Sequence, residues 1–301
     1  MEIYYIENDN WPELSNITLT IGNFDGVHLG HQKLIELALN EKDTKSAVLT
    51  LAPHPQTVFN RDKNFKTLFT TQQKLYNLLK YDLDYIFIAK FEESFYSLSI
   101  DEFIKRLQKL GVKKLILGRD FRFAKNGSGS VLDLKEHFDL VIVDDVIYNN
   151  IRVSTTQIKK TLKEGNINLV NELLGYNYYI TGSVEHGNKI GKTLGFPTAN
   201  IKYDNLLPKD GVYLVKIQID GVYYYGISNI GNNPTVNYSE EKKFEVFILD
   251  YSNEIYNCNV TVQFLERLRD EMKFGSKEEL IEQIKNDEKK ARSIIKSYNM
   301  C

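Results

Sequence analysis

In the first part of the chain, up to about residue 175, short apolar runs alternate with segments whose apolar residues recur at helical spacing. The runs are continuous in Ile, Leu and Val, which is typical of parallel strands that are covered on both faces. Alternating strands and helices predict a doubly wound α/β domain with a parallel sheet. The predicted strands are Ile17–Ile21, Ala47–Leu51, Tyr85–Ala89, Lys114–Leu117 and Leu140–Val143, and the predicted helices are Lys33–Leu39, Thr71–Leu79, Ile100–Leu110, Ser154 to Gly165 and Asn166–Leu174.

From about Tyr178 the sequence changes, because Tyr, Val and Ile become dense and turn residues separate short runs. This pattern predicts an antiparallel, barrel-like second domain, followed by one or two helices between Ser276 and Tyr298 that pack on the barrel. We expect the two domains to span residues 1–178 and 179–301. The predicted strands are Tyr178–Val184, Val212–Ile219, Val222–Ile230, Phe244–Leu249 and Val260–Leu265, with turns at Asp220-Gly221 and around Asn232–Pro234.

Charge and composition limit the class of partner. The 38 Lys and Arg residues nearly balance the 40 Asp and Glu residues, so the sequence indicates neither nucleic-acid nor membrane binding. No segment approaches ~20 continuous apolar residues and the start lacks the apolar core of a signal peptide, so we expect a cytoplasmic protein. Cys258 and Cys301 lie far from any CxxC pattern, which argues against a disulfide framework or a structural zinc site. A homo-oligomer is neither required nor excluded.

The first predicted strand runs directly into "GNFDGVHLGHQ", Gly22 to Gln32, which then becomes helical. Ligands of open α/β sheets bind at the carboxyl ends of strands, where a helix N-terminus offers free N–H groups to an anion. His28 and His31 are three residues apart, which favours two donors for phosphate oxygens on one face. A structural histidine and a turn-capping role for Asp25 are the alternatives. A metal site would need a third ligand that is not obvious nearby.

This loop, with its HxGH sequence, resembles the signature of the nucleotidylyltransferase superfamily. The resemblance implies that His28 and His31 stabilise an α-phosphate while a substrate phosphate attacks it and pyrophosphate leaves. It also implies a second phosphate-binding segment near the end of the domain, for which "RVSTTQIK" fits, although hydroxyls at a helix start are also ordinary caps. The implied nucleotide-binding residues are Gly22, Asn23, Phe24, Asp25, Gly30, Ser154, Thr155, Thr156 and Lys159.

A second glycine-rich segment, "GNKIGKTLGFPTAN" from Gly187 to Asn200, looks like a P-loop but lacks its spacing. Gly187 and Gly191 have three residues between them, whereas the P-loop has four. Phe196-Pro197 also forbids the helix that should follow a P-loop. The segment therefore needs another explanation.

Ordered segments along nearly the whole chain resemble the bifunctional riboflavin kinase/FAD synthetases of bacteria. The resemblance implies an N-terminal FMN adenylyltransferase and a C-terminal riboflavin kinase, with riboflavin, FMN and ATP as substrates, FMN and FAD as products, and Mg²⁺ as cofactor. The matching segments are "TIGNFDGVHLGHQ", "PHP" at Pro53–Pro55, "GRDFRFAKNGSG", "RVSTTQIK", "GKTLGFPTANI", "GVYLVKI", "ISNIGNNPTV", "FEVFILD" and "LRDEMKFGSKEELIEQIKNDEKKAR".

In the kinase half, the resemblance implies that Thr198 and Asn200 hold Mg²⁺ and phosphate, and their oxygens are ligand types that suit this ion. It also implies phosphate contacts at Gly187, Gly191 and Lys192. The glycine-rich segment then becomes a strand-flanked loop of the kinase.

Glu245 takes the position of the catalytic base in the family, on the same strand face as Phe247 and Leu249. A solvated glutamate on an edge strand is the alternative. For Arg269, which resembles a residue of the flavin loop, the alternative is an exposed ion pair. The implied flavin-binding residues are Asp120, Phe121, Arg122 and Arg269.

Several positions depart from the family pattern. Ala124 stands in place of glycine, Ser128 often in place of arginine, and Phe247 where histidine is common. In the "RVSTTQIK" segment, Thr155 and Lys159 replace serine and arginine. Lys159 keeps the charge but loses the bidentate fork of arginine, so we expect modestly weaker phosphate binding.

Two other functions remain open on the sequence alone. The chain could transfer a nucleotidyl group to a different phosphate ester and carry a non-catalytic barrel. The barrel could instead bind protein or RNA, although the absence of a basic stripe disfavours RNA.

Overall fold

A computed structural model of the chain describes residues 1–59, 65–186, 195–231 and 242–298. The chain forms two compact units, Met1–Thr155 and Thr156–Cys301. Compactness groups residues 156–174 with the second unit, and the functional boundary at residue 178 stays a prediction. The predictions for Gly187, Gly191, Lys192 and the turn around Asn232–Pro234 lie outside the described residues.

The first unit contains a six-stranded sheet in the order β1-β4-β3-β2-β5-β8, and every neighbouring pair is parallel. This confirms the predicted parallel α/β class and all five predicted strands. The strands of the unit are β1 (Glu2–Ile6), β2 (Ile17–Gly22), β3 (Lys45–Ala52), β4 (Tyr85–Lys90), β5 (Val112–Gly118), β6 (Arg122–Phe123), β7 (Gly129–Ser130), β8 (Asp139–Val143), β9 (Ile147–Tyr148) and β10 (Ile151–Arg152).

Helices cover both faces of this sheet. Alternate strand residues point to opposite sides, so each face contributes apolar side chains to a separate cluster. Leu49 and Phe87 pack with Phe103 on one face, whereas Val48 and Ile86 join a separate cluster on the other. The helices of the unit are α1 (Leu29–Leu39), α2 (Pro55–Val58), α3 (Thr71–Leu78), α4 (Glu93–Tyr96), α5 (Ile100–Lys109) and α6 (Val131–Leu134), with a short 3₁₀ turn at Lys125–Gly127.

The second unit is a closed barrel with strand order β11-β12-β15-β14-β13-β16, and all of its pairs are antiparallel. This confirms the predicted barrel. Its interior holds the buried ring of Phe264, which lies 5.5 Å from that of Tyr213 and 5.7 Å from that of Phe244. The strands are β11 (Tyr179–Glu185), β12 (Thr198–Tyr203), β13 (Gly211–Ile219), β14 (Val222–Gly231), β15 (Lys243–Ile248) and β16 (Asn259–Arg269).

Three helices belong to this unit: α7 (Thr155–Glu164), which begins at the unit boundary, α8 (Ile167–Leu174) and α9 (Lys277–Tyr298). The helix α8 ends at Gly175, whose φ of 77° is left-handed, as expected for a glycine C-cap. The region after the barrel is one continuous helix, and Ala291 and Ile294 pack with Val212 and Leu214 on the outside of the barrel. Among the helices that the structure describes, none has the length and apolar character of a membrane span.

Candidate active sites

The α/β unit has a cavity of about 970 Å³ at the carboxyl ends of its parallel strands. Its walls include Gly22 and Asn23 at the end of β2, Leu51 of β3, Gly118 of β5 and Val143 of β8. This is the edge of the sheet at which the sequence predicts an anion site. The helix α1 begins at Leu29, a turn earlier than predicted, so the HxGH segment forms its start.

His28 and His31 both line this cavity, and their rings stack with a centroid separation of 3.7 Å. His28 is the N-cap of α1, and its Nδ1 accepts a hydrogen bond from the backbone N–H of His31 at 3.4 Å. Because Nδ1 is an acceptor, neutral His28 carries its proton on Nε2 and can donate from there.

Burial determines the charge of the histidine pair. It lowers the pKa of His28 to about 4, with the Asp25 carboxylate opposing this shift. Burial also lowers the pKa of His31 well below its usual value, and protonation of His28 or Lys74 beside it lowers it further. Both imidazoles are therefore uncharged at neutral pH, and an anion in the cavity meets neutral donors.

A Cβ at Gly22 or Gly30 would crowd the loop where it packs on itself. A Cβ at Gly30 would lie 3.1 Å from the His28 ring, and one at Gly22 would lie 3.3 Å from the Phe24 ring. Phe24 is fully buried and its ring lies 4.8 Å from that of His31. The Asp25 carboxylate is also buried, so any contact of Phe24 or Asp25 with a ligand would come from the backbone.

The second predicted phosphate segment reaches the first. The Thr155 hydroxyl donates to the backbone carbonyl of Asp25 at 2.9 Å, and Ser154 and Thr155 both line the cavity. Thr156 and Lys159 follow on α7 in the second compact unit, so their part in this site stays a prediction.

Aromatic side chains form one wall of the cavity, and only Phe121 among them is a predicted flavin-binding residue. The ring of Phe59 lies 5.5 Å from Phe91 and 5.2 Å from Tyr96, and Phe121 stacks on Phe123. The density of aromatic residues in "FEESFY" is the signal that could have indicated this wall.

The other two predicted flavin-binding residues of this unit, Asp120 and Arg122, also line the cavity. The Asp120 carboxylate accepts from Arg152 at 2.7 Å, and Arg152 also lies 2.8 Å from Asp145. Arg122 is exposed. Asp120 is thus held in an ion pair at the rim, whereas Arg122 is open to solvent.

The barrel unit has a separate cavity of about 280 Å³ between the outer barrel face and α9. Strand register brings its polar residues together, because Glu245 pairs with Asn200 on one side and with Asn229 on the other. All three side chains line the cavity. Asn229 lies in the matching segment "ISNIGNNPTV", but nothing local in that segment distinguishes it.

Glu245 lies on β15, which has a neighbouring strand on each side, so the edge-strand alternative is wrong. Lys243, Glu245 and Phe247 line the cavity, while Val246 points into the barrel interior and is buried, as the two-residue period predicts. The side chain of Glu245 is 25% exposed, and Lys243 Nζ lies 4.0 Å from its Oε1.

Arg269 also lines this cavity, but its guanidinium is already paired. Its Nε and one terminal nitrogen donate to the Asp287 carboxylate at 2.8 to 3.0 Å. The pair is buried, since the side chains are 18% and 6% exposed, so the exposed ion pair considered above is wrong. Gln283 donates to the same carboxylate at 2.9 Å, and the network fixes α9 to β16.

The two side chains predicted to hold a cation lie on β12. Thr198 and Asn200 are two residues apart on this strand and both line the cavity, so a hydroxyl and an amide oxygen face the same space. Within the described ranges, no cluster of three or more His, Cys, Asp or Glu residues could hold a metal ion. A cation here would therefore need phosphate and water as its remaining ligands, which suits Mg²⁺.

Two family descriptions match successive parts of the chain, FAD synthetase over residues 11–157 and riboflavin kinase over residues 174–295. Curated relatives named bifunctional riboflavin kinase/FMN adenylyltransferase include proteins of Listeria monocytogenes and Escherichia coli. The first is 36% identical and the second 35% identical, and each alignment covers 96% of both chains. The Bacillus subtilis relative of that name is 36% identical, with 93% of this chain and 92% of the relative covered.

A crystal structure titled as a macrolide-efflux protein from Streptococcus pneumoniae has the same fold, with a TM-score of 0.89 and 29% identity. The match covers 96% of this chain and 98% of that one. The fold and the two sites define a two-part transferase, a nucleotidylyltransferase-type α/β unit followed by a kinase-type barrel. The chain belongs to the family of bifunctional riboflavin kinase/FMN adenylyltransferases.

Proposed function

We propose that this chain converts riboflavin to FAD in two ATP-dependent steps, each in its own unit. The barrel phosphorylates riboflavin to FMN, and the α/β unit joins FMN to the adenylyl group of ATP. The observation that carries the proposal is the pair of separate cavities, one lined by the HxGH histidines and one by the row Asn200, Glu245 and Asn229. We assign the functional domains to residues 1–178 and 179–301 and both reactions to the cytoplasm.

In the α/β cavity, His28 and His31 stabilise the α-phosphate of ATP as neutral donors. The N-terminus of α1 lies beside them and adds free N–H groups and positive potential. An oxygen of the FMN phosphate bonds to the α-phosphorus, the bond from this phosphorus to the α–β bridging oxygen breaks, and pyrophosphate leaves. Donors that are already in position stabilise the charge that develops during this exchange.

Further contacts divide between phosphate and flavin. The aromatic wall of Phe59, Phe91, Tyr96 and Phe121 offers flat apolar surfaces on which an isoalloxazine ring can stack. The residues assigned to phosphate are Gly22, Asn23, Phe24, Asp25 and Gly30 through their backbone, and Ser154, Thr155, Thr156 and Lys159 through their side chains; those assigned to flavin are Asp120, Phe121 and Arg122, with Arg269 in the barrel.

In the barrel cavity, Glu245 is the general base. The ribityl hydroxyl oxygen of riboflavin bonds to the γ-phosphorus of ATP, the bond from this phosphorus to the β–γ bridging oxygen breaks, and ADP leaves. The hydroxyl proton passes to the Glu245 carboxylate. Register with Asn200 and Asn229 on both sides holds the carboxylate at the cavity wall.

Thr198 and Asn200 would hold Mg²⁺, which neutralises charge on the ATP phosphates when it is bound. Gly187, Gly191 and Lys192 are assigned to the same phosphates on the family resemblance. Lys243, 4.0 Å from Glu245, provides a positive charge close to the base.

The test is to incubate the purified chain with riboflavin, ATP and MgCl₂ and to separate the flavins by chromatography. FMN should form first and FAD second, and EDTA should stop the reaction. If the chain forms FMN from riboflavin but no FAD, the adenylyltransferase assignment is refuted. If it forms FAD from supplied FMN but no FMN from riboflavin, the kinase assignment is refuted. A non-catalytic barrel would make no FMN and would tolerate changes at Glu245, Thr198 and Asn200.

A further inference from the structure

Lys74 lies on α3 beneath the α/β cavity, and the mechanism above does not use it. The residue is only 7% exposed. Its Nζ donates to the backbone carbonyl of Leu51 at 2.6 Å and to that of Asn23 at 3.2 Å. Leu51 lies near the end of β3 and Asn23 directly follows β2, and both line the cavity. One ammonium therefore ties together two strand ends at the place where the phosphates are proposed to bind.

Two sets of hydrogen bonds join α3 to the HxGH loop, one accepted by the loop side chain of Asp25 and one donated by Lys74. The Asp25 carboxylate, in a residue that is 3% exposed, accepts the backbone N–H groups of Leu68 and Phe69 at 3.2 Å each, just before the N-cap of α3. Lys74 then reaches back from α3 to the carbonyl of Asn23. A buried ammonium is costly unless it is hydrogen-bonded and compensated by charge, so this arrangement indicates a specific use.

The ammonium also acts on the histidine pair. Lys74 contributes to lowering the pKa of His31, after burial and the charge of His28. Burial lowers the pKa of Lys74 itself to about 8, and the Asp25 carboxylate opposes that shift. The groups that face Lys74 are thus Asp25 and His31 of the β2–α1 segment and the carbonyl of Leu51 on β3. At neutral pH most of the enzyme carries a positive charge at Lys74.

We propose that Lys74 is a positioning residue of the adenylyltransferase reaction, which fixes the Asn23 and Leu51 carbonyls and places a positive charge behind the histidine pair. The charge favours binding of the ATP phosphates and keeps a proton off His31, so that the imidazole meets the phosphate uncharged. This inference rests on the proposed function of the α/β cavity as an ATP site.

The activity test compares Lys74→Met with Lys74→Arg in the full chain. Lys74→Met should lower kcat/KM for FAD formation roughly 10- to 100-fold, since displaced reacting groups cost rates of this order. Lys74→Arg, which keeps the charge, should recover much of the loss. FMN formation from riboflavin should stay within about twofold of the parent in both variants, which checks that the barrel is intact. Lys80→Met, two residues after the end of α3, is the matched control and should leave both reactions unchanged.

A second measurement separates the charge from a merely structural role. By NMR, His31 in the free Lys74→Met enzyme should take up its proton at a higher pH than in the parent, because a nearby positive charge has been removed. In the parent, KM for ATP in FAD formation should rise above about pH 8 as Lys74 loses its proton. That rise should be absent in Lys74→Met. The KM for ATP in the kinase reaction, measured over the same pH range, shows how much of any change comes from titration of ATP itself.

The proposal is overturned if Lys74→Met forms FAD at the parent rate or leaves the His31 titration unchanged. If Lys74→Met fails to fold, Lys74→Gln replaces it, because glutamine keeps a donor without the charge. A loss in Lys74→Gln with activity in Lys74→Arg supports the proposal, and equal activity in both overturns it. If the parent makes no FAD, the proposed function fails, while the His31 titration still tests the effect of Lys74.

Discussion

In the α/β unit the glycines and histidines that face the proposed α-phosphate position come from one continuous loop, whereas the polar residues of the barrel site lie on three separate strands. Gly22 to His31 form the end of β2 and the start of α1, so their order in the sequence is also their order in space. Asn200, Asn229 and Glu245 are brought together only by antiparallel register. A site built from one loop can therefore be recognised as a sequence motif. A site built from paired strands can be recognised only when the pairing of the strands is known.

The two sites also differ in how they present charge. The α/β site uses buried imidazoles that are neutral at pH 7, with one ammonium behind them. The barrel site uses a partly exposed carboxylate on a wall that α9 completes. Substitutions should therefore separate the two activities, and the two units serve as controls for each other.

The largest expected effect is that of removing the base in the barrel. Glu245→Gln keeps the shape of the side chain but cannot accept the hydroxyl proton, so FMN formation should fall by about 10²- to 10⁴-fold. FAD formation from supplied FMN should stay near the parent rate. Chromatographic rates measure both reactions, and Glu266→Gln on β16 is the control. A similar loss in that control would contradict the role of Glu245.

The reciprocal change is made in the α/β unit. His28→Ala and His31→Ala each remove a donor to the α-phosphate, so FAD formation from FMN should fall by about 10²- to 10³-fold. FMN formation should persist, and His137→Ala should affect neither reaction. If either histidine change abolishes both reactions in a folded protein, the division of labour between the units is wrong.

The third prediction concerns the anchor of α9. Asp287→Asn leaves Arg269 without its buried carboxylate, which should destabilise the barrel by about 3 kcal/mol and reduce FMN formation. Urea unfolding followed by circular dichroism measures this change. The exposed carboxylate of Asp250, paired with Arg292, provides the control, and Asp250→Asn should have little measurable effect.

The α/β unit can be followed separately, because Trp11 is the one tryptophan of the sequence and is buried there. Its fluorescence should keep the parent unfolding midpoint in Asp287→Asn. A shift of the Trp11 transition equal to that of the barrel would show that the two units do not unfold independently.

The smallest predicted effect is a pH dependence of stability in the α/β unit. The folded unit binds a proton at His28 only near pH 4, whereas the unfolded chain does so near pH 6.5. The unfolded state therefore gains protons first as the pH falls, and His28 alone should lower the free energy of unfolding by about 2 kcal/mol between pH 7 and pH 5. His28→Gln should remove this share of the slope, whereas the share of His31, whose pKa burial also lowers, should remain. An unchanged slope in His28→Gln would contradict the burial argument.

Much of this fold could be predicted from the sequence, and the exceptions have physical reasons. The five buried strands of the α/β sheet are continuous apolar runs because helices cover both faces. The strand β1 at the edge of the sheet was missed, because its short run of four apolar and aromatic residues lies in an acidic segment and most of the strand is exposed. The strand β12 was missed because its start, "TAN" at residues 198–200, has the composition of a loop, and pairing with β15 makes it a strand.

The site shows the same limit. The HxGH loop was identified because its residues are neighbours in the sequence, and the structure brings both histidine rings to one cavity. Lys74 and Asn229 were missed because a lysine in a helix is usually solvated and an asparagine in a strand has no single meaning. Only the packing of α3 under the strand ends, and the register of β14 with β15, give these two residues a place in a site.

Pairing of β11 with β16 closes the barrel, and α9 then completes the wall of its cavity. The strand β16 and the helix α9 are synthesised after the whole α/β unit, and domains that emerge first from the ribosome can fold first. On the ribosome, the adenylyltransferase unit can therefore mature while the kinase is still unfinished. The enzyme is built in the opposite order to its proposed chemistry, so a nascent chain would be able to use FMN before it could make any.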